Sequence, residues 1–137
     1  MNPGDTPTEV GKLLLDQGKL TAAQLEQVRR RQRRLNLPQH RAVVDLNFAS
    51  EEDTWRALAT VNNLEFVDPG ALDLKRETLE LVPIKFVFHY RMLPLGMDGD
   101  AVILAFSEPL RQMEQGNLRL LLNQKFKPVL ATPSATW

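Results

Sequence analysis

Five arginines crowd one short stretch, Arg29, Arg30, Arg31, Arg33 and Arg34. Guanidiniums so placed could hold a phosphate, an acidic protein or an anionic membrane surface. On a helix, Arg29/Arg33 and Arg30/Arg34 are like-charge pairs four residues apart, which weaken the helix unless a carboxylate or a bound anion lies nearby. The alternative reading is a solvated basic face. Duplex DNA is a poor fit, because 17 Lys+Arg balance 17 Asp+Glu and no aromatic residues flank the run. Glu51-Glu52-Asp53 has the residue types of paired acids or a cation site, but consecutive carboxylates at a helix start serve the cap and the dipole. His40 and His89 lack ligand spacing and the chain has 0 Cys, so neither a metal centre nor thiolate chemistry is expected. Gly11-Lys12 imitates a phosphate loop, with Leu13 where a magnesium-binding hydroxyl belongs and Thr6 where the leading glycine belongs. No Gly-x-Ser-x-Gly elbow occurs either. These residues predict no enzyme, no metal and no resident cofactor.

The elements that must carry them follow from caps and periodicity. Thr6-Pro7-Thr8-Glu9 predicts a capped helix start, with Val10, Leu13 and Leu14 on one face and Gly18 terminating it after about Gln17. Thr21-Ala22-Ala23-Gln24 predicts a second capping box and a helix with Leu25, Val28 and Leu35 on its stripe, closed by Leu37-Pro38. Ser50-Glu51-Glu52-Asp53 predicts a third box, with Asp53 in the Glu position, opening a helix that turns Trp55, Leu58 and Ala59 inward and ends near Asn62-Asn63. Thr21 and Ser50 are 29 residues apart, and that offset also aligns Leu14 with Val43, Leu15 with Val44, Asp16 with Asp45 and Gln24 with Asp53. An internal duplication is the economical reading.

Beyond residue 63 the pattern changes. Leu64 to Asp68 alternates like a short strand, Leu74 to Leu81 is a brief helix, and Pro83 starts another that runs to about Tyr90. Met92 to Gly96 and Ala101 to Phe106 read as strands joined at Asp98-Gly99, followed by a helix over Leu110 to Leu122 and an edge strand over Phe126 to Ala131 containing Pro128. The expected fold is α+β: a helical subdomain of two degenerate repeats over 1–63, then a small mixed subdomain of three to four strands over 64–137. At 43% hydrophobic and 25% charged residues, 137 residues suffice for a folded core. The first residues lack the basic-then-apolar order of a secretory signal, and a cytoplasmic location is the default.

The order of these segments, with Leu81-Val-Pro-Ile-Lys-Phe-Val-Phe-His-Tyr-Arg-Met-Leu-Pro-Leu-Gly96 and Ala101-Val-Ile-Leu-Ala-Phe-Ser-Glu-Pro-Leu110, resembles the N-terminal domain of type II secretion and type IV pilus assembly ATPases. This is the GspE/PilB group, whose MshEN version binds cyclic di-GMP. The resemblance runs from Glu9 to Pro133. Cyclic di-GMP-binding members carry two copies of a segment that begins Arg-Leu-Gly and closes on Gln. Here the copies are 9–32 and 38–61. The first keeps Gly11, Leu14, Leu15, Gly18, Leu20, Leu25 and Gln32 but has Glu9 in place of the arginine. The second has Pro38-Gln39-His40 for Arg-Leu-Gly, Asn47 for the second Gly and Val61 for the Gln.

What the resemblance implies is a non-catalytic interaction and regulatory domain that docks on the cytoplasmic part of an inner-membrane secretion or pilus protein. It would be recruited to that membrane only through the partner, and its α+β part would pack near the ATPase motor. The expected contact residues are Arg29, Arg30, Arg33, Arg34 and Leu14, beside the exposed faces of Leu13 to Leu20. The alternative is a cyclic di-GMP sensor using Gly11, Leu14, Gly18, Gln32 and Arg41.

Overall fold

The computed structural model describes residues 9–72 and 74–136. They form two compact units, one ending at Asn63 and the other beginning at Leu64. The first holds α1 (Val10–Asp16), α2 (Ala22–Leu35), α3 (Gln39–Asp45) and α4 (Glu51–Val61). The second runs through a 3-10 turn (Pro69–Ala71), α5 (Arg76–Leu79), α6 (Ile84–Tyr90), β1 (Met92–Asp98), β2 (Ala101–Phe106), α7 (Gln112–Leu122), β3 (Phe126–Leu130) and α8 (Pro133–Thr136).

In the helical unit the duplication is visible residue by residue. Adding the 29-residue offset to α1 gives the bounds of α3. Both helices close the same way. Lys19 N–H donates to the Leu14 carbonyl and Gly18 N–H to that of Leu15, just as Phe48 N–H donates to Val43 and Asn47 N–H to Val44. This paired closure needs a left-handed residue, and Gly18 (φ 75°) and Asn47 (φ 58°) supply it. Asparagine tolerates that conformation better than other side-chain-bearing residues, so the second turn survives the loss of its glycine.

Two expectations are corrected at the helix starts. Thr6, Pro7 and Thr8 lie outside the described residues, while Glu9 is the N-cap itself, extended at φ −106° and ψ 131°, rather than a residue of the first turn. Thr21 closes its box with Gln24, as its residue types require. Ser50 Oγ does accept from Asp53 N–H at 3.0 Å, but no return bond is made, since the shorter Asp53 carboxylate takes Lys19 Nζ at 3.0 Å instead. Leu35 is exposed, because the buried stripe of α2 ends with Leu25 and Val28. The core of the unit is Val10, Leu14, Leu20, Leu25, Val28, Ala42, Val43, Trp55, Ala57, Leu58 and Ala59.

The second unit is built on a three-stranded sheet in the order β1-β2-β3, with β1 antiparallel and β3 parallel to β2. The β1–β2 hairpin turns at Gly99 (φ 63°), and α7 is the crossover that a parallel neighbour demands. Pro94 and Pro128 fall on the two edge strands, where a missing N–H costs least. Residues 64–68 are not a full strand. Phe66 makes one parallel bridge to Leu130 before Asp68 Oδ1 accepts from Gly70 N–H at 3.0 Å and turns the chain away. Pro83 caps α6 from outside instead of opening it, and α7 starts two residues later than expected, where Glu114 bonds back to Arg111 N–H. One core cluster joins Val82, Met92, Val102, Leu104, Phe106 and Leu118; a second joins Ala105, Val129 and Ala131.

Candidate functional site

Where the chain resembles a ligand motif, it has built a polar cluster of its own. The extended N-cap conformation of Glu9 leaves its carboxylate free of capping duty. Both oxygens take the Arg29 guanidinium, Nη2 to Oε1 at 3.0 Å and Nε to Oε2 at 3.4 Å, and Oε2 also accepts from Gln39 Nε2 at 2.9 Å. Gln39 Nε2 reaches Gln32 Oε1 at 3.4 Å, and Gln39 Oε1 accepts from Gly11 N–H at 2.7 Å. The second repeat thus caps the first helix of the first repeat. A glycine fits closely there: a Cβ would stand 2.5 Å from Leu25 Cδ1 and 3.1 Å from Gln39 Oε1, so a larger residue would have to displace those side chains. At the equivalent position of the other repeat, buried His40 packs edge-on to Trp55 at 5.1 Å between centroids.

The Gln39 hydrogen bond, followed by that from Arg29, holds the Glu9 carboxyl below its ordinary value of 4.5. Because the folded-state value is the lower one, the stabilisation is full above the unfolded-state value and disappears as pH falls through the folded one. The pair is partly exposed, so its contribution is screened to about 1 kcal/mol or less. Melting curves of the wild type and Glu9→Gln between pH 3 and 7 should therefore separate slightly at neutral pH and merge in acid. A gap that persists at pH 3 would assign the effect to packing.

The five arginines are less free than the sequence suggests. Arg29 serves Glu9, Arg30 and Arg33 share Glu26 at 3.5 and 3.9 Å, and Arg31 Nε donates to Asp45 at 2.8 Å. Among the described residues only Arg34 of the run lacks an ionic partner. Carboxylates close at hand are what allow α2 to tolerate its like-charge pairs. Leu14 is fully buried, so it anchors the core and offers nothing to a partner in this conformation. Of the alternative ligand set, Gly11 and Gln32 meet through Gln39. Gly18 is spent on its turn, and Arg41 lies over Trp55 with its guanidinium carbon 5.8 Å from the ring centroid. Gln39 and the carboxylate role of Glu9 escape sequence reasoning, because the Arg29–Glu9, Gln39–Glu9 and Gly11–Gln39 contacts span 20 to 30 residues.

The second unit presents an apolar surface that lies largely within the Leu81–Gly96 stretch. Leu79, Val82, Pro83, Ile84, Val87, Phe88, Leu93 and Pro94 line an open groove of about 640 Å³, edged by the Arg76–Glu80 pair. Ile84 and Phe88, one helical turn apart on α6, are 70% and 61% exposed. Among the described residues no three His, Asp or Glu converge as metal ligands, and no helix is long and apolar enough to cross a membrane.

A helical repeat pair followed by a small mixed-sheet unit defines a class: the N-terminal domain of GspE/PilB-type secretion and pilus-assembly ATPases. The chain belongs to the MshEN domain family, whose model matches residues 62–136. The solved structure of MshE with cdg is similar at 26% identity and a TM-score of 0.78, with 93% of each chain covered. The N-terminal domain of XpsE shares the fold at 18% identity and a TM-score of 0.66, covering 99% of this chain and 94% of that one. A search of the curated proteins finds no match.

Proposed function

We propose that this is a non-catalytic, cytoplasmic interaction and regulatory domain of a type II secretion or type IV pilus assembly ATPase, docking on a cytoplasmic segment of an inner-membrane partner. The observation that carries the reading is the α5–α6–β1 groove. Soluble monomers rarely leave contiguous apolar surface of this kind uncovered, and here Ile84 and Phe88 stand out from a groove floored by further aliphatic and proline side chains. An amphipathic partner segment with an apolar stripe fits such a groove, reading it at alternate turns. On the helical unit, Arg30, Arg33 and Arg34 remain outward for contact, whereas Leu14 and Arg29 are engaged internally.

A second reading, a cyclic di-GMP sensor, is favoured by the likeness to MshE with cdg. Against it stands Glu9. The ligand's phosphates would meet a carboxylate that has already claimed Arg29 and, through Gln39, the Gly11 amide. Calorimetric titration with cyclic di-GMP, with cyclic di-AMP and GTP as controls, separates the two. Silence across the series is expected, and the melting temperature should not move, since only a ligand that binds the folded state raises it. Selective micromolar binding would replace the docking-only reading with the sensor.

A further inference from the structure

One face of α2 carries Gln27, Arg30, Arg31 and Arg34 at the spacing of successive helical turns, and these side chains surround a small recess of about 170 Å³ floored by Leu46, the residue that ends α3. Glu26 and Asp45 are the carboxylates set against this face. They answer Arg30 and Arg31, with Glu26 also shared by Arg33, while Arg34 has no ionic partner among the described residues. Three guanidiniums line the recess and Arg33 shares Glu26, so four arginines stand against two carboxylates and leave a local excess of positive charge on a chain of zero net charge. Arginine forks match carboxylates two bonds at a time, and Arg30 and Arg34, both well exposed, keep donors available for that purpose.

We infer that this recess receives carboxylate side chains of an acidic, partly apolar protein segment. The inference rests on the docking reading and names the chemistry of the partner at the helical unit. Size decides against a nucleotide, because pockets for ligands of that kind run to roughly 300–1,000 Å³. A membrane surface is disfavoured as well: Glu26 pairs with Arg30 beside the recess, and the apolar lining is one leucine rather than a broad stripe. An acidic segment with an aliphatic residue between its carboxylates satisfies both the guanidiniums and the floor.

The test is fluorescence anisotropy with a short labelled peptide of repeating Glu-Glu-Leu, against the wild-type chain, R30Q/R34Q, and R119Q/K125Q as a charge-matched control on the second unit. The peptide should bind the wild type and the control alike, weaken about tenfold with R30Q/R34Q, and weaken further with added salt. Equal binding to R30Q/R34Q would overturn the assignment. So would pyrophosphate, or phosphatidylglycerol vesicles, binding through the same two arginines more strongly than the peptide. If the peptide fails to bind at millimolar concentration while the chain still docks on a partner's cytoplasmic domain, the acidic-segment assignment alone falls. If neither binds, the docking reading falls with it.

Discussion

Trp55→Ala is expected to destabilise the helical unit by about 3–5 kcal/mol, the range for deleting a large buried aromatic side chain. Trp55 is 1% exposed and is the largest fully buried side chain among the described residues. Its ring also receives the edge of His40 and lies under the Arg41 guanidinium, so the substitution removes two aromatic contacts together with the packing. A domain of this size has only about 5–15 kcal/mol in hand. Urea denaturation followed by circular dichroism should show the helical signal lost at much lower denaturant, with the melting temperature reduced by more than about 10 °C. Trp55→Phe, which keeps a ring in the cavity, should recover most of the loss. A midpoint for Trp55→Ala within the error of the wild type would mean that the repeat pair is not held by this contact.

The double charge insertion I84E/F88E is expected to leave folding intact and abolish docking. Both side chains stand largely in solvent, so replacing them removes little buried area and the melting temperature should stay near that of the wild type. In a complex they would be the most deeply covered residues of the groove. Apolar anchors of that kind are worth about 2 kcal/mol or more apiece, and an unpaired carboxylate in the same place adds a desolvation cost. Together these effects predict a loss of at least about 100-fold in affinity. A variant with Leu120, an exposed leucine on α7 outside the groove, changed to Glu serves as the control and should bind normally. If I84E/F88E docks like the wild type, the contact surface lies elsewhere.

Much of the fold is legible because its signals are local. The Thr21–Gln24 box, the Gly99 turn and the left-handed closure at Gly18 each involve residues within a few positions of one another, and the 29-residue offset carries the same turn to Asn47. What stays hidden depends on distant partners. Glu9 reads as a first-turn cap residue until Arg29 and Gln39 are brought to it. Within the arginine run, the Arg30–Glu26 pair is visible from its four-residue spacing, but neither Glu9 nor Asp45 can be found that way. Leu14 illustrates a different limit, since an apolar residue on a narrow helical face serves equally well as core or as contact, and only the packing of the repeats decides. Residues 64–68 alternate like a strand, yet Pro69 and the Asp68 turn stop the ladder after one bridge. The α5–α6–β1 groove lies largely within the Leu81–Gly96 stretch that carries the resemblance, yet it is not legible as a groove, because its apolar residues come from separate elements and read singly as core.

The docking claim is tested most directly by calorimetric titration of the full chain with each purified cytoplasmic domain of the inner-membrane proteins from the same secretion or pilus system. The account predicts that one of them binds with one-to-one stoichiometry at micromolar affinity or better, and that I84E/F88E removes the heat. Absence of binding by every cytoplasmic domain, with the chain shown to be folded, would contradict it.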